Sequence, residues 1–184
     1  MANKVKYGLK SVYYSVLTEG TPDSYATPVA IPGAVNVALS PVGDLTTFVA
    51  DDIEYFVNQS NNGYDGTLEV ALLAESFFED VMGETEDTKD VVFEKSTATP
   101  KHFALLFEFT GDSNQIRHCM YKCLATRANI EGSATTSKEI KTVTLNLTAR
   151  PNSGGYVKAK SKSTTDSTVY SNWYTAVQIF VSGE

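Results

Sequence analysis

The sequence predicts an all-β domain, a β-sandwich or partly open barrel with one short flanking α-helix. Three observations predict it. Apolar residues recur at every second position in segment after segment, the spacing of strands with one buried face. Ten Tyr and nine Phe stand against three Met, a balance that suits strands better than helices. Only one stretch carries helix signals. The 184 residues contain no linker, internal repeat or low-complexity tract, so the chain reads as a single domain over 1–184.

Taken in order, Val5, Tyr7 and Leu9 alternate on odd positions, and Val12, Tyr14 and Val16 on even ones. The phase slips once, which predicts one long strand with a bulge, or two strands. Val35, Val37 and Leu39 form the next apolar row, followed by Ile53, Tyr55 and Val57, then Leu68, Val70 and Leu72. Between 39 and 53 the pattern breaks. Ser40-Pro41-Val42-Gly43-Asp44 has turn chemistry and 45–52 lacks a clean period, which predicts a long connecting loop. Asn62-Gly63 and Asp65-Gly66 suit a strand reversal.

Ser76 with Glu79 three residues on matches a capping box. Phe77, Phe78, Val81 and Met82 make an apolar face at helical spacing and Gly83 a C-terminal stop, so the helix runs for about two turns. An acidic loop over 84–88 follows, then a short strand at Val91 and Phe93. Phe103, Leu105, Phe107 and Phe109 alternate strongly, with Gly111-Asp112-Ser113-Asn114 as the turn and 115–124 as the partner strand. Val143, Leu145, Leu147 and Ala149 predict a further strand, 151–155 a turn, 161–166 a polar loop tip, and Val177, Ile179 and Val181 a closing strand.

The formal charge is −7, which argues against a surface that holds DNA by neutralising phosphates. It is unevenly spread: 65–94 carries ten acids and one base, while 115–184 carries nine bases and four acids. That asymmetry is either ordinary solvated surface or an acidic patch that meets a neighbour's basic patch. The N-terminus has basic residues but no apolar segment behind them, so no signal peptide is expected, and no stretch approaches the ~18 apolar residues of a membrane span. The expectation is assembly in the cytoplasm without membrane insertion.

A search for chemistry returns little. Cys119 and Cys123, four apart on one strand, fall on one face and on the order of 13 Å apart, too far for a mutual disulfide; buried reduced thiols are expected. His102 and His118 lie on opposite arms of the 103–124 hairpin and lack further ligands around them. Asp51, Asp52 and Glu54 could imitate paired carboxylates, but solvent-facing acids have the same spacing. Phosphate-binding, nucleophile-elbow, dinucleotide and calcium-loop motifs are missing from the sequence. The chain is therefore expected to be no enzyme and to need no cofactor or metal.

Several segments, read in order, resemble the major tail protein (tail tube protein) family of siphophages that infect Gram-positive hosts. They are Lys4-Val5-Lys6-Tyr7-Gly8-Leu9-Lys10 with Val12-Tyr13-Tyr14, Ile31-Pro32-Gly33-Ala34-Val35, Ala50-Asp51-Asp52-Ile53-Glu54-Tyr55, and Phe103-Ala104-Leu105-Leu106-Phe107-Glu108-Phe109 running into Arg117-His118. Asn62-Gly63-Tyr64-Asp65-Gly66 with Leu68-Glu69 adds to them. The likeness lies in their order and spacing, from residue 4 to about 150.

The resemblance implies a structural virion protein with a single tail-tube domain. It implies six copies in a ring whose inner sheets join into one barrel, and rings stacked into the tube through which double-stranded DNA leaves. The implied partners are other copies of the chain, a tape-measure protein and tail-tip or terminator proteins, with DNA in passage but not bound. The implied location is the virion tail. The other reading is a β-sandwich carbohydrate-binding or adhesin module that uses Tyr64, Tyr156, Tyr170, Trp173 and Tyr174.

Two site expectations follow from the tube reading. The first is a lumen face made by 35–39, 53–57 and 67–73, with the apolar parity of each strand on the core and the other parity facing the channel. Its lumen-facing residues are Asn36, Ser40, Asp52, Glu54, Asn58, Thr67 and Glu69, with Phe56 and Leu73 as misfits. The second is a ring-stacking loop over 40–52, in which Leu45, Phe48 and Val49 would be wasted on solvent but useful in a contact.

Overall fold

The structure is a computed structural model and describes residues 7–111, 115–132 and 141–182. Val5 of the first predicted strand and Asp112-Ser113-Asn114 of one predicted turn lie outside the described residues. In chain order the elements are β1 (Leu9–Thr18), β2 (Ser24–Tyr25), β3 (Val29–Ala30), β4 (Ala34–Val42), β5 (Leu45–Ala50), β6 (Ile53–Gln59) and β7 (Gly63–Val70). Then come α1 (Glu75–Phe77), which runs into a π-helical turn (Phe78–Met82), β8 (Thr85–Glu86), β9 (Val92–Phe93), β10 (Phe103–Phe109), β11 (Arg117–Ala125), β12 (Val143–Ala149), β13 (Lys158–Lys160) and α2 (Ser167–Ser171).

The fold is all-β. Nine strands form one antiparallel sheet in the order β2-β1-β10-β11-β12-β7-β4, with β13 added to β11 and β3 to β1. The sheet curls so that the inward rows of β1, β10 and β11 pack on those of β7 and β12. β4 comes close to β1 without pairing to it, so the barrel stays open. Val12, Tyr14, Phe103, Leu105, Leu68, Val70, Leu145 and Leu147 fill the space between. Phe77 plugs one end, set edge-on to both Tyr14 and Phe103.

The phase slip in the first strand is a bulge within one strand: the pairing of β1 with β10 shifts between Lys10 and Tyr13, and Ser11 takes a φ of 52°. The cysteines are free and buried as expected, but they do not share a face. Cys119 belongs to the outer layer and Cys123 to the core, because β11 bulges between them, where Lys122 has a φ of 41°. Burial pushes the Cys123 thiol up to about 12, and burial together with the neighbouring Cys123 pushes the Cys119 thiol up as well, which disfavours the reactive thiolate at both.

The helix is present but its predicted cap is not. Ala74, not Ser76, stands at the N-cap and no side chain bonds there. The apolar face is as expected, with Phe77, Val81 and Met82 buried, and Gly83 ends the turn with a φ of 78°. The predicted closing strand is also corrected. Residues 172–182 form no strand; α2, capped by Asp166 through the amides of Thr168 and Val169, leads into an irregular segment instead. That segment covers the outer face of β10 and β11, where Trp173 joins Ala104, Leu106, Cys119 and Tyr121 in a second apolar layer.

Phe77→Ala should remove the plug at that end of the core. The expected cost is about 3–5 kcal/mol, read as a lower urea midpoint with an unchanged slope.

Candidate functional site: an acidic sheet face and a projecting arm

The three strands β4, β7 and β12 present one row of side chains to the core and one to the outside. Register fixes which is which. Leu68 of β7 pairs with Leu145 and Val37, while its neighbours Thr67 and Glu69 pair with Asn146 and Ala38, and with Thr144 and Asn36. Ser40, Asp65 and Thr148 complete a third row. The outward face is thus a block of nine positions: Asn36, Ala38 and Ser40; Asp65, Thr67 and Glu69; Thr144, Asn146 and Thr148. None of the nine is Lys or Arg. Glu69 accepts a hydrogen bond from the Thr142 hydroxyl at 2.6 Å, and Asp65 lies 2.6 Å from the Arg150 guanidinium at the rim.

Of the expected lumen residues, the structure therefore brings Asn36, Ser40, Thr67 and Glu69 onto one face. Asp52, Glu54 and Asn58 are elsewhere. The 53–57 row is no part of this sheet: Ile53, Tyr55 and Val57 are 62%, 72% and 50% exposed, and not core residues. Its place beside β7 is taken by β12. Two further details differ. A bulge between Ala34 and Asn36 turns Val35 outward, and beyond the end of β7 Leu72 is exposed while Leu73 is buried.

The segment 45–52 is not a loop. β5 pairs with β6 to make a two-stranded arm that continues the β4–β7 hairpin and leaves the sheet. Hydrogen bonds from the Ser60 and Asn62 amides to Asp44 and Val42 carry the ladder across the junction. The junction needs glycine twice: a Cβ on Gly43 would meet the Ser60 carbonyl at 2.0 Å, and Gly63 has a φ of 108°. On the return limb 60–62 oppose only 43–44, one residue more, so the parity of β6 is flipped relative to β7. The Asn62-Gly63 signal marks this kink and not a reversal. The reversal is at Asp51-Asp52, both at positive φ (54° and 59°), the geometry of a two-residue type I′ turn.

Leu45, Phe48 and Val49 are 65%, 59% and 58% exposed. They do not fold back onto their own domain. Phe48 faces Phe56 across the arm, and Thr47 faces Val57 on its other side.

The two histidines lie apart. His102 bonds Glu19 at 2.9 Å, while His118 stacks on Phe107. No cluster of three or more metal-ligating side chains occurs among the described residues. The aromatics proposed for sugar binding are engaged: Trp173 is buried, Tyr174 stacks on Tyr13, Arg117 lies over Tyr170 and Tyr174, Lys158 lies over Tyr64, and Tyr156 stacks on Phe180. No described helix is long and apolar enough to cross a membrane.

No protein-family model and no curated protein sequence matches the chain. Solved structures do. A chain of the anti-feeding prophage cap, described as a tube terminating cap, superimposes with a TM-score of 0.51 at 9% identity, over 88% of this chain and 95% of that one. A chain of the six-fold symmetrised baseplate of the same particle gives 0.50 at 8% identity, over 89% and 99%. The chain thus has the fold of proteins found in phage-tail-like particles. None of these neighbours is described as belonging to a siphophage tail or to a particle of Gram-positive hosts, so the likeness stands at the level of the tail-like fold.

The missed residues are Thr144, Asn146 and Thr148. Their signal was present, as the polar alternates of Val143, Leu145 and Leu147, but only pairing shows that they adjoin Thr67. For the arm, Asp52→Gly gives the Asp-Gly pair that type I′ turns favour. Amide exchange in β5 and β6 should slow several-fold; unchanged exchange would show that the turn does not limit arm order.

Proposed function

We propose that this chain is a structural subunit of a phage-type tail, and that copies of it form six-membered rings stacked as a tube. The outward face of β4, β7 and β12 lines the channel, and the arm reaches the adjacent ring. The observation that carries the reading is that face: nine paired positions, small, polar or acidic, without a base. A channel wall for DNA needs that composition, because lysines and arginines would bind phosphates and release counterions. Repeated around a ring, Glu69 becomes a band of negative charge that keeps the DNA in a water layer.

The edge of the sheet supports assembly. Among the described residues β4 pairs with β7 alone, so its outer N–H and C=O groups are free to take another strand. Ring closure would use every such edge and leave none exposed. In this reading the partners are other copies of the chain, a tape-measure protein and tip or terminator proteins, and the place of action is the virion tail.

A second reading within the same class is a ring that ends a tube instead of forming one. It is favoured by the tube terminating cap among the structural neighbours. The two differ in product. A tube subunit makes rings at moderate concentration and hollow tubes of growing length at high concentration, seen by negative-stain microscopy. A terminator stops at single rings. A strictly monomeric mass by light scattering over a wide concentration range would count against both and favour a binding module.

The channel assignment has its own test. Glu69→Lys should assemble normally, since the side chain faces outward, but should slow DNA ejection, most of all at low salt where screening is weakest. Unchanged ejection from particles that contain the variant would put this face outside the channel.

A further inference from the structure

The outer face of β10 and β11 carries an apolar layer separate from the core. Ala104, Leu106, Cys119 and Tyr121 lie there with Trp173, while Phe103, Leu105, Met120 and Cys123 of the same two strands belong to the core. The cover of the outer layer is the segment 167–182, made of α2 and the irregular stretch after it. Among the described residues its main-chain hydrogen bonds run within the segment and to Asp166, so no ladder ties it to the sheet. Side chains hold it instead. The Trp173 indole donates to the His118 carbonyl at 3.5 Å, the Tyr121 hydroxyl donates to the Gln178 carbonyl, and Tyr174 stacks on Tyr13 with ring centroids 4.7 Å apart. A segment without a ladder to its support opens more readily than the sheet beneath it.

One ion pair joins the sheet to that segment. Glu108 of β10 is 5% exposed. Its carboxylate takes the Lys10 ammonium at 3.2 Å, the Ser11 hydroxyl at 3.0 Å and Arg117 Nε at 3.3 Å. Successive residues of a regular strand point to opposite faces, and the bulge at Ser11 lets Lys10 and Ser11 reach the same carboxylate. On its other side the Arg117 guanidinium lies 3.9 Å from the centre of the Tyr170 ring and 4.8 Å from that of Tyr174, and donates to the Tyr170 carbonyl. The Arg117 side chain is only 16% exposed. Without Glu108 it would be a buried charge lacking its carboxylate, and it would turn to water and leave both rings.

We infer that 167–182 is a strap that opens and closes as one unit over the outer face of β10 and β11, and that the Glu108–Arg117 pair is its latch. Closed, the strap keeps Ala104, Leu106 and Tyr121 out of water. Open, it uncovers that apolar face while the core on the other side of the strands stays packed. The inference concerns the single subunit and does not depend on the tube reading.

The chain supplies its own reporters. Cys119 lies under the strap, Cys123 lies in the core, and Trp173 is the one Trp of the sequence. The full chain is treated with a maleimide, and labelling of each cysteine is followed by peptide mass spectrometry. In the wild type Cys119 should label slowly and Cys123 only on unfolding. Glu108→Gln should raise the Cys119 rate about tenfold or more, shift Trp173 emission to the red and leave Cys123 protected. Tyr170→Ala removes the strap side of the latch and leaves the sheet residues unaltered. It should act in the same direction, and it decides the matter if Glu108→Gln does not fold. An unchanged Cys119 rate in the folded variants would overturn the latch. Labelling of Cys119 and Cys123 at one common rate would show that the strap opens only with the whole domain, and would overturn the inference.

Discussion

β7 is held on both sides by main-chain pairing, to β4 over Ala34–Val42 and to β12 over Val143–Ala149. This double ladder is the constraint on which the rest depends. Strand side chains alternate, so a slip of one residue would exchange Leu68 and Val70 for Thr67 and Glu69 on the core side. The cost of burying Glu69 without a partner forbids that slip. One register therefore determines a dry inner face that meets Phe103 and Leu105 and a wet outer face with acids and no bases. The function proposed for the outer face rests on the same pairing that builds the core.

The arm extends that ladder to a place where the core can no longer cover it. Gly43 and Gly63 let the two limbs bend out of the sheet, and the extra residue on the return limb rotates the β6 side chains. Beyond the bend the backbone is still satisfied strand to strand, but the side chains meet only solvent. An isolated two-stranded ribbon is marginal in water, and this one exposes apolar side chains on both faces.

Much of this was legible in the sequence. The rows through Val12 and Tyr14, through 103–109 and through 143–149 have the period of a strand and became β1, β10 and β12. The small polar alternates Asn36, Ser40, Thr67 and Glu69 share one face of the β4–β7 pair, as their period implies. Ile53, Tyr55 and Val57 were misread because alternation reports a strand, not what lies above it; their period is real but the strand has no core to face. Asp51-Asp52 was missed as a turn because its positive φ values are usually carried by Asn or Gly. Val177, Ile179 and Val181 alternate by chance of composition: the segment lies across β10 and β11, anchored through Trp173 and the Tyr121 hydroxyl, which donates to the Gln178 carbonyl. The neighbour of β7 could not be read at all, since β12 is more than seventy residues away in the chain and only the folded register joins them.

Tyr64, Tyr156, Tyr170 and Tyr174 lie against other rings or cations and Trp173 is buried, the thiols are buried, and the two histidines lie in different surroundings. The unpaired β4 edge, the acidic face and the apolar arm are the surfaces on which the proposed self-assembly rests. The most direct measurement is a helical reconstruction, by electron cryomicroscopy, of the assembled protein at a resolution that traces strands. The account predicts that β4, β7 and β12 form the inner wall with Thr67, Glu69 and Asn146 pointing to the axis. A wall in which that face points outward, or is buried between subunits, would contradict it.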